Sequence, residues 1–150
     1  LFGEAPAFSR ATEPGQFPRI AFIAMGWREA NSSDVDTLPN AGARSADPTH
    51  FLAASCDFNG DGRSDEARIL LPPDGQDEIR IVVVAITTKI DTYVLGQFDR
   101  KALSDIAIEG IAQRKGEMCN ALRIFRFSGG SETQMLRDDT FEVVGKDAAS

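Results

Sequence analysis

From Ile79 to Ile86 the chain reads Ile-Arg-Ile-Val-Val-Val-Ala-Ile, a β-branched run broken by a single charge. Side chains branched at Cβ are stiff and favour extended backbone. A strand with one wet face alternates apolar and polar residues, whereas this one hardly alternates at all. It therefore reads as a central strand covered on both faces. The run is far too short to span a bilayer. Any fold for this chain has to supply a sheet around that strand and a layer on each side of it.

Other segments supply candidates for the sheet. Phe51 to Cys56 and Ala67 to Leu71 are short apolar runs on either side of an acidic stretch. Pro72, Pro73, Asp74 and Gly75 form a strong turn, and Lys89 to Asp91 permits a second one into Thr92 to Phe98. Ala121 to Phe127 reads as a strand ended by Gly129-Gly130, and Phe141 to Val144 as a last short one. Leu103 to Ala112 fits two templates. Ile106 and Ile108 alternate like a strand, while Leu103, Ile106, Ala107 and Ile111 match a helix.

A layer to cover the sheet is sought near the N-terminus. Phe17, Ile20, Ala21 and Ala24 lie on one helical stripe, with Pro18 acceptable in a first turn, although a strand over Ile20 to Trp27 competes. The expected fold class is accordingly α+β: an antiparallel β meander with an N-terminal helix packed on one face. Residues 1–150 read as one domain, with 1–19 an extended arm holding Pro6, Pro14 and Pro18, and 146–150 a frayed tail. Residues 30–49, rich in Asn, Ser, Pro and Gly, read as a loop that is long for a compact domain.

The sequence offers chemistry at one place, Asp57-Phe58-Asn59-Gly60-Asp61-Gly62-Arg63-Ser64-Asp65. The pattern D-x-N-x-D-G-x-x-D sets side-chain oxygens at alternate positions. Calcium takes six to eight oxygen ligands in flexible geometry, and alternate side chains converge on one ion only if the chain curls around it. Gly62 allows that curl. The expected ligands are Asp57, Asn59, Asp61, the backbone carbonyl of Arg63, and Asp65, the last directly or through a water. An EF-hand would carry a bidentate Glu at its twelfth position and continue into a helix. Here that position is Arg68 and the following residues read as a strand, so a strand–loop–strand calcium turn is the better description. With three carboxylates and no closing Glu, affinity is expected on the order of 10⁻⁴ to 10⁻³ M. Glu66, next to Asp65 on an extended segment, should point away. The competing reading is a metal-free acidic hairpin, since Asn-Gly and Asp-Gly are both good turn dipeptides.

Residues 56–67, Cys-Asp-Phe-Asn-Gly-Asp-Gly-Arg-Ser-Asp-Glu-Ala, resemble the calcium loop of FG-GAP and VCBS-type repeats, a GDFNGDGxxDxA core between two strands. Asp57, Asn59, Asp61 and Asp65 fall on the ligand positions and Arg63 on the carbonyl position. Cys56 departs from the usual Gly. The resemblance covers about a dozen residues, and a single copy cannot build the propeller those repeats form. It is more similar to small bacterial secreted proteins carrying one such loop, of unknown function. It thus implies calcium and a secreted or periplasmic location, without an activity.

The formal net charge of −7 repels phosphate backbones and anionic lipid heads, which argues against nucleic-acid binding and membrane insertion. Cys56 and Cys119 fit either two buried thiols or a disulfide, and the absence of CxxC spacing leaves zinc and redox motifs unsupported. The secreted reading favours the bridge. It would fix the first ligand, Asp57, to the sheet. Cys56 shares an alternating face with Leu52 and Ala54 and should point inward.

Catalytic constellations are weak. The single histidine, His50, has no orienting carboxylate and nucleophile in any recognisable motif. Asp77-Glu78 and Asp138-Asp139 read as solvated turn residues, Gly129-Gly130 as a turn without the Lys of a phosphate loop, and Trp27 as a core anchor. Arg123 and Arg126 lie on opposite faces of a strand and make no basic patch. The expected function is a non-enzymatic domain holding one structural calcium ion. A partner-binding protein of inhibitor or immunity type is the alternative, and a hydrolase comes last.

Overall fold

A computed structural model describes residues 21–31, 34, 52–73, 77–86, 90–112 and 114–147. The arm 1–19, Phe17 and Ile20 of the expected helix, most of the 30–49 loop, His50, Asp74 and Gly75 of the first turn, and Lys89 of the second lie outside the described residues.

Nine strands are described. A single-turn helix, α1 (Ala21–Ala24), precedes β1 (Arg28–Glu29), β2 (Ala53–Cys56), β3 (Asp65–Leu71), β4 (Glu78–Ile86) and β5 (Ile90–Asp99). A 3-10 turn over Arg100–Ser104 leads into β6 (Ile106–Ile111), β7 (Ala121–Arg126), β8 (Ser131–Arg137) and β9 (Thr140–Asp147). They form two antiparallel sheets. The first has the order β1-β3-β4-β5, with β2 also paired to β3, and the second is the meander β6-β7-β8-β9.

The expected α+β class with a packed N-terminal helix is therefore incorrect. Among the described residues the regular structure is mostly β, and the layer facing the first sheet is a second sheet. Among the described residues the expected helix is represented by one turn, Ala21–Ala24. It closes where Gly26 N–H donates to Ile23 O and Trp27 N–H to Phe22 O, with Gly26 at φ +96. Within that turn Ala24, a member of the expected apolar stripe, is exposed, and Phe22 and Ile23 are the residues that pack. One turn is too short to hold a helical face by itself.

The long β-branched run is indeed central. β4 pairs with β3 on one side and β5 on the other, and every residue of β3 is buried. On the inner face, Ala67, Ile69 and Leu71 join Ile79, Ile81 and Val83. Ile106, Ile108, Leu122 and Ile124 of the second sheet close over them, making the core of a sandwich. On the outer face Leu70, Val82 and Val84 cluster with Trp27, against which Phe22, Ile23 and Ile90 pack. The Arg80 guanidinium lies 4.7 Å from the Trp27 ring centroid and 5.4 Å from that of Phe22, so a charged stem seals this cluster. Trp27 is the anchor expected of it, 6% exposed.

The ambiguous segment Leu103 to Ala112 resolves into the end of the 3-10 turn and strand β6. Leu103 is buried, and Ile106 and Ile108 face the core as alternation implies. β8 was not expected from the sequence, and β9 runs on through Lys146 and Asp147, which pair with Glu132 and Ser131. Asp138 and Asp139 form the β8–β9 hairpin turn at φ 50 and 65, exposed as expected.

Candidate functional site

The acidic loop joins β2 to β3. The last pair of that ladder is Cys56 opposite Asp65, and residues 57–64 bridge them. The two-residue hairpin that Asn59-Gly60 could have closed does not form. The loop instead winds around its own acidic side chains. Asp57 Oδ1 accepts from the amides of Gly60 (2.9 Å) and Asp61 (3.1 Å), and Asp57 Oδ2 from that of Gly62 (2.9 Å). Asn59 Oδ1 accepts from Asp61 N–H at 3.3 Å, and Asp61 Oδ1 from Arg63 N–H at 2.8 Å. Asp65 Oδ2 accepts from Phe58 N–H (2.9 Å) and Asn59 N–H (3.2 Å). Gly60 and Gly62 make the curl possible at φ +77 and +85, where an L side chain is strained.

Two contacts fix this loop to the sandwich. Phe58 is 4% exposed and projects into the core, meeting the Phe141 ring edge-on at 5.8 Å; Phe141 in turn meets Tyr93 at 5.2 Å. One residue earlier, the amide of Asp57 donates to the carbonyl of Cys119 at 2.9 Å. Cys119 is disulfide-bonded to Cys56, across a sequence separation of 63. The bridge expected from the secreted reading is thus present, and Cys56 points into the core with Leu52 and Ala54. It joins the strand that feeds the loop to the segment leading into β7, tying one sheet to the other. Closing a chain loop of that length restricts the unfolded state by about 4 kcal/mol on the chain-entropy estimate. Gly110 on β6 leaves room for the bridge. A Cβ there would collide with Cys56 Sγ and stand 2.7 Å from Cys119 Sγ.

Of the expected ligand residues, Asp65 is buried at 1%, Asp57 and Asn59 are partly buried, and Asp61 and Arg63 are exposed. Four of the five carry their side-chain oxygens into bonds with loop amides. Neither Asp57 nor Asp61 forms a salt bridge among the described residues. Among those residues, too, no three His, Cys, Asp or Glu side chains converge as a ready metal cage. The carboxylates of Asp57, Asp61 and Asp65 therefore do not converge as such a cage in this arrangement; Asn59 and Arg63 would add an amide oxygen and a backbone carbonyl. The carboxyl and amide oxygens of Asp57, Asn59, Asp61 and Asp65 are hard donors of the type calcium prefers, and Asp57 Oδ2, Asn59 Oδ1 and Asp61 Oδ1 each accept one amide bond and keep a second lone pair. The residues fit calcium in donor chemistry and in sequence spacing.

Nearby charge tunes one phenol. Burial, then the negative charges of Asp91, Asp139 and Asp65, push the Tyr93 hydroxyl above its ordinary 10.0.

Three features escaped the sequence. The first is Phe58 as a plug, although alternation puts it opposite Asp57 and Asn59. The second is a polar network on the outer face of the first sheet. Glu66 turns away from Asp65, as expected, and binds Ser55 Oγ (2.9 and 3.1 Å) and Arg68 (2.9 Å); Arg68 also reaches Glu29 at 2.8 Å. The third is an open cleft of about 450 Å³ lined by Ala53, Ala54, Ser55, Arg68, Glu109, Gly110 and Cys119. Period-2 spacing put Glu66 and Arg68 on one face, but Ser55 and Glu29 are remote in sequence and carried no signal. No described helix is long and apolar enough to cross a membrane. Comparison with family models, with curated proteins and with solved structures returned no match.

Proposed function

We propose that this is a secreted or periplasmic, non-enzymatic domain whose loop 57–65 holds one structural calcium ion through Asp57, Asn59, Asp61, the Arg63 carbonyl and Asp65. The observation that carries the reading is the winding of the loop around Asp57. Three successive amides, from Gly60 to Gly62, converge on its carboxylate in place of a tight hairpin. A divalent ion that drew the alternate oxygens together would offset the repulsion between the carboxylates of this acidic loop. The disulfide supports an oxidising compartment. Extracellular fluid commonly holds calcium at levels where a weak site fills, so the expected millimolar-range affinity suits that location.

Calorimetric titration tests the reading. Native protein stripped of metal should take up one calcium with a dissociation constant on the order of 10⁻⁴ to 10⁻³ M. Asp57→Asn and Asp61→Asn should each weaken it at least tenfold while leaving the circular dichroism of the sheets unchanged. Absence of uptake by the unsubstituted protein at 10-fold higher calcium (about 10⁻² M) would remove the reading. A hydrolase panel run on the same material should remain silent. Turnover that disappears in Asp61→Asn would overturn the non-enzymatic half.

A further inference from the structure

We infer that the Cys56–Cys119 disulfide is a redox latch on the acidic loop, opened by a dithiol reductant entering through the cleft beside Cys119. The inference deepens the calcium reading, and its loop-order arm stands without it. Three observations converge. Cys56 is covalently adjacent to Asp57, the residue around which the loop winds. The amide of Asp57 donates to the carbonyl of Cys119, so both ends of the bridge hold the same residue. The two cysteines differ in access: Cys56 is fully buried, whereas Cys119 is partly exposed and lines the open cleft with Ser55 and Gly110.

That asymmetry gives the exchange a direction. A thiolate of the incoming dithiol attacks Cys119 Sγ, the Cys56–Cys119 bond breaks, and Cys56 leaves as thiolate and takes up a proton. The second thiolate of the reductant then displaces Cys119 as a thiol. Two electrons pass to the protein disulfide, and the reductant is left as its own disulfide. With the bridge open, the segment leading into β7 is no longer tied to β2, and the Cys119 carbonyl loses its fixed place opposite the Asp57 amide. Asp57 then gains freedom, and the amides of Gly60, Asp61 and Gly62 lose the acceptor that orders them.

The test is amide hydrogen exchange on the full chain, oxidised and reduced with a dithiol, each with and without calcium, plus Cys56→Ser/Cys119→Ser under oxidising conditions. Amides of Ile81 to Val84 in β4 serve as the internal reference, because they sit in the doubly covered strand. The expected result without calcium is at least tenfold faster exchange at Gly60, Asp61 and Gly62 on reduction, with β4 unchanged. The expected result with calcium is at least tenfold weaker binding by the reduced and doubly substituted forms. If the oxidised protein binds no calcium yet the loop amides still quicken on reduction, the latch stands and the metal reading falls. Equal loop protection and equal calcium affinity in both redox states would overturn the latch. Loss of protection across β4 as well would also overturn it, because the bridge would then be a global staple.

Discussion

The outward faces of the two sheets carry the same chemistry in different surroundings. On the first sheet, Glu66 pairs with Arg68, and the two side chains are 2% and 7% exposed. On the second, Glu109 pairs with Arg123, directly opposite it across β6 and β7, and those side chains are 28% and 33% exposed. The first pair lies on a face that also buries Leu70, Val82 and Val84. The second shares its face with solvent, and Arg123 spreads over the Phe125 ring at 4.6 Å. Water decides what each pair is worth. In the covered face each charge has lost its hydration and depends on its protein partners, Ser55, Glu29 and the Ala67 carbonyl among them. In the wet face solvent replaces whatever a partner withdraws.

Removing one partner from each pair exposes that contrast most strongly. Glu66→Ala takes a countercharge away from a buried guanidinium, and should cost about 3–5 kcal/mol in urea denaturation. Arg123→Ala should cost under about 1 kcal/mol. Similar losses from both would mean that the two faces are equally wet. Apolar truncation sharpens the same comparison at a slightly smaller scale. Leu70→Ala, on the covered face, should cost about 2–5 kcal/mol, whereas Val143→Ala in β9, 47% exposed, should stay within about 0.5 kcal/mol.

Smaller again is the effect expected where the sheets are joined. Gly110→Ala pushes a methyl group against the disulfide, and overpacking of this kind costs about 1–3 kcal/mol. An unchanged unfolding midpoint would show that the bridge is not seated against β6. The mildest prediction concerns Asp105, at the start of β6. Partial burial acts to raise its pKa, but hydrogen bonds from the Ser128 hydroxyl and amide and the Arg126 guanidinium outweigh it and hold the carboxyl below 3.8. The fold thus favours the charged form. Its contribution is fully present above pH ~4, the unfolded carboxylate value, and fades as pH falls through the lower folded value. Asp105→Asn should therefore reduce stability at pH 6 and converge on the unsubstituted protein near pH 2.

The same difference in wetness explains what could be read from the sequence. β4 was legible because a doubly covered strand is nearly all apolar. β8, Ser-Glu-Thr-Gln-Met-Leu-Arg, was not, because a strand with a wet face in the second sheet needs few apolar residues, and here only Gln134 is buried. Without β8 the second sheet leaves no clear pattern, and a helix of which the structure describes one turn is the cover that the sequence suggests for β4. The loop was legible as chemistry because its oxygens recur at fixed spacing, and Cys56 was legible as inward by alternation. The bond from the Asp57 amide to the Cys119 carbonyl was not, since it joins residues far apart in sequence and leaves no local pattern.

Unfolding in urea with excess calcium and with a chelator, on the oxidised protein, tests the central claim most directly. At 10 mM calcium, some 10 to 100 times the expected dissociation constant, binding to the folded state alone should stabilise it by about 1.4–2.7 kcal/mol. Asp57→Asn should abolish most of that difference, and magnesium should reproduce little of it. Coincident transitions with calcium and with chelator would contradict the account, leaving residues 57–65 as an acidic connection held by its own amides.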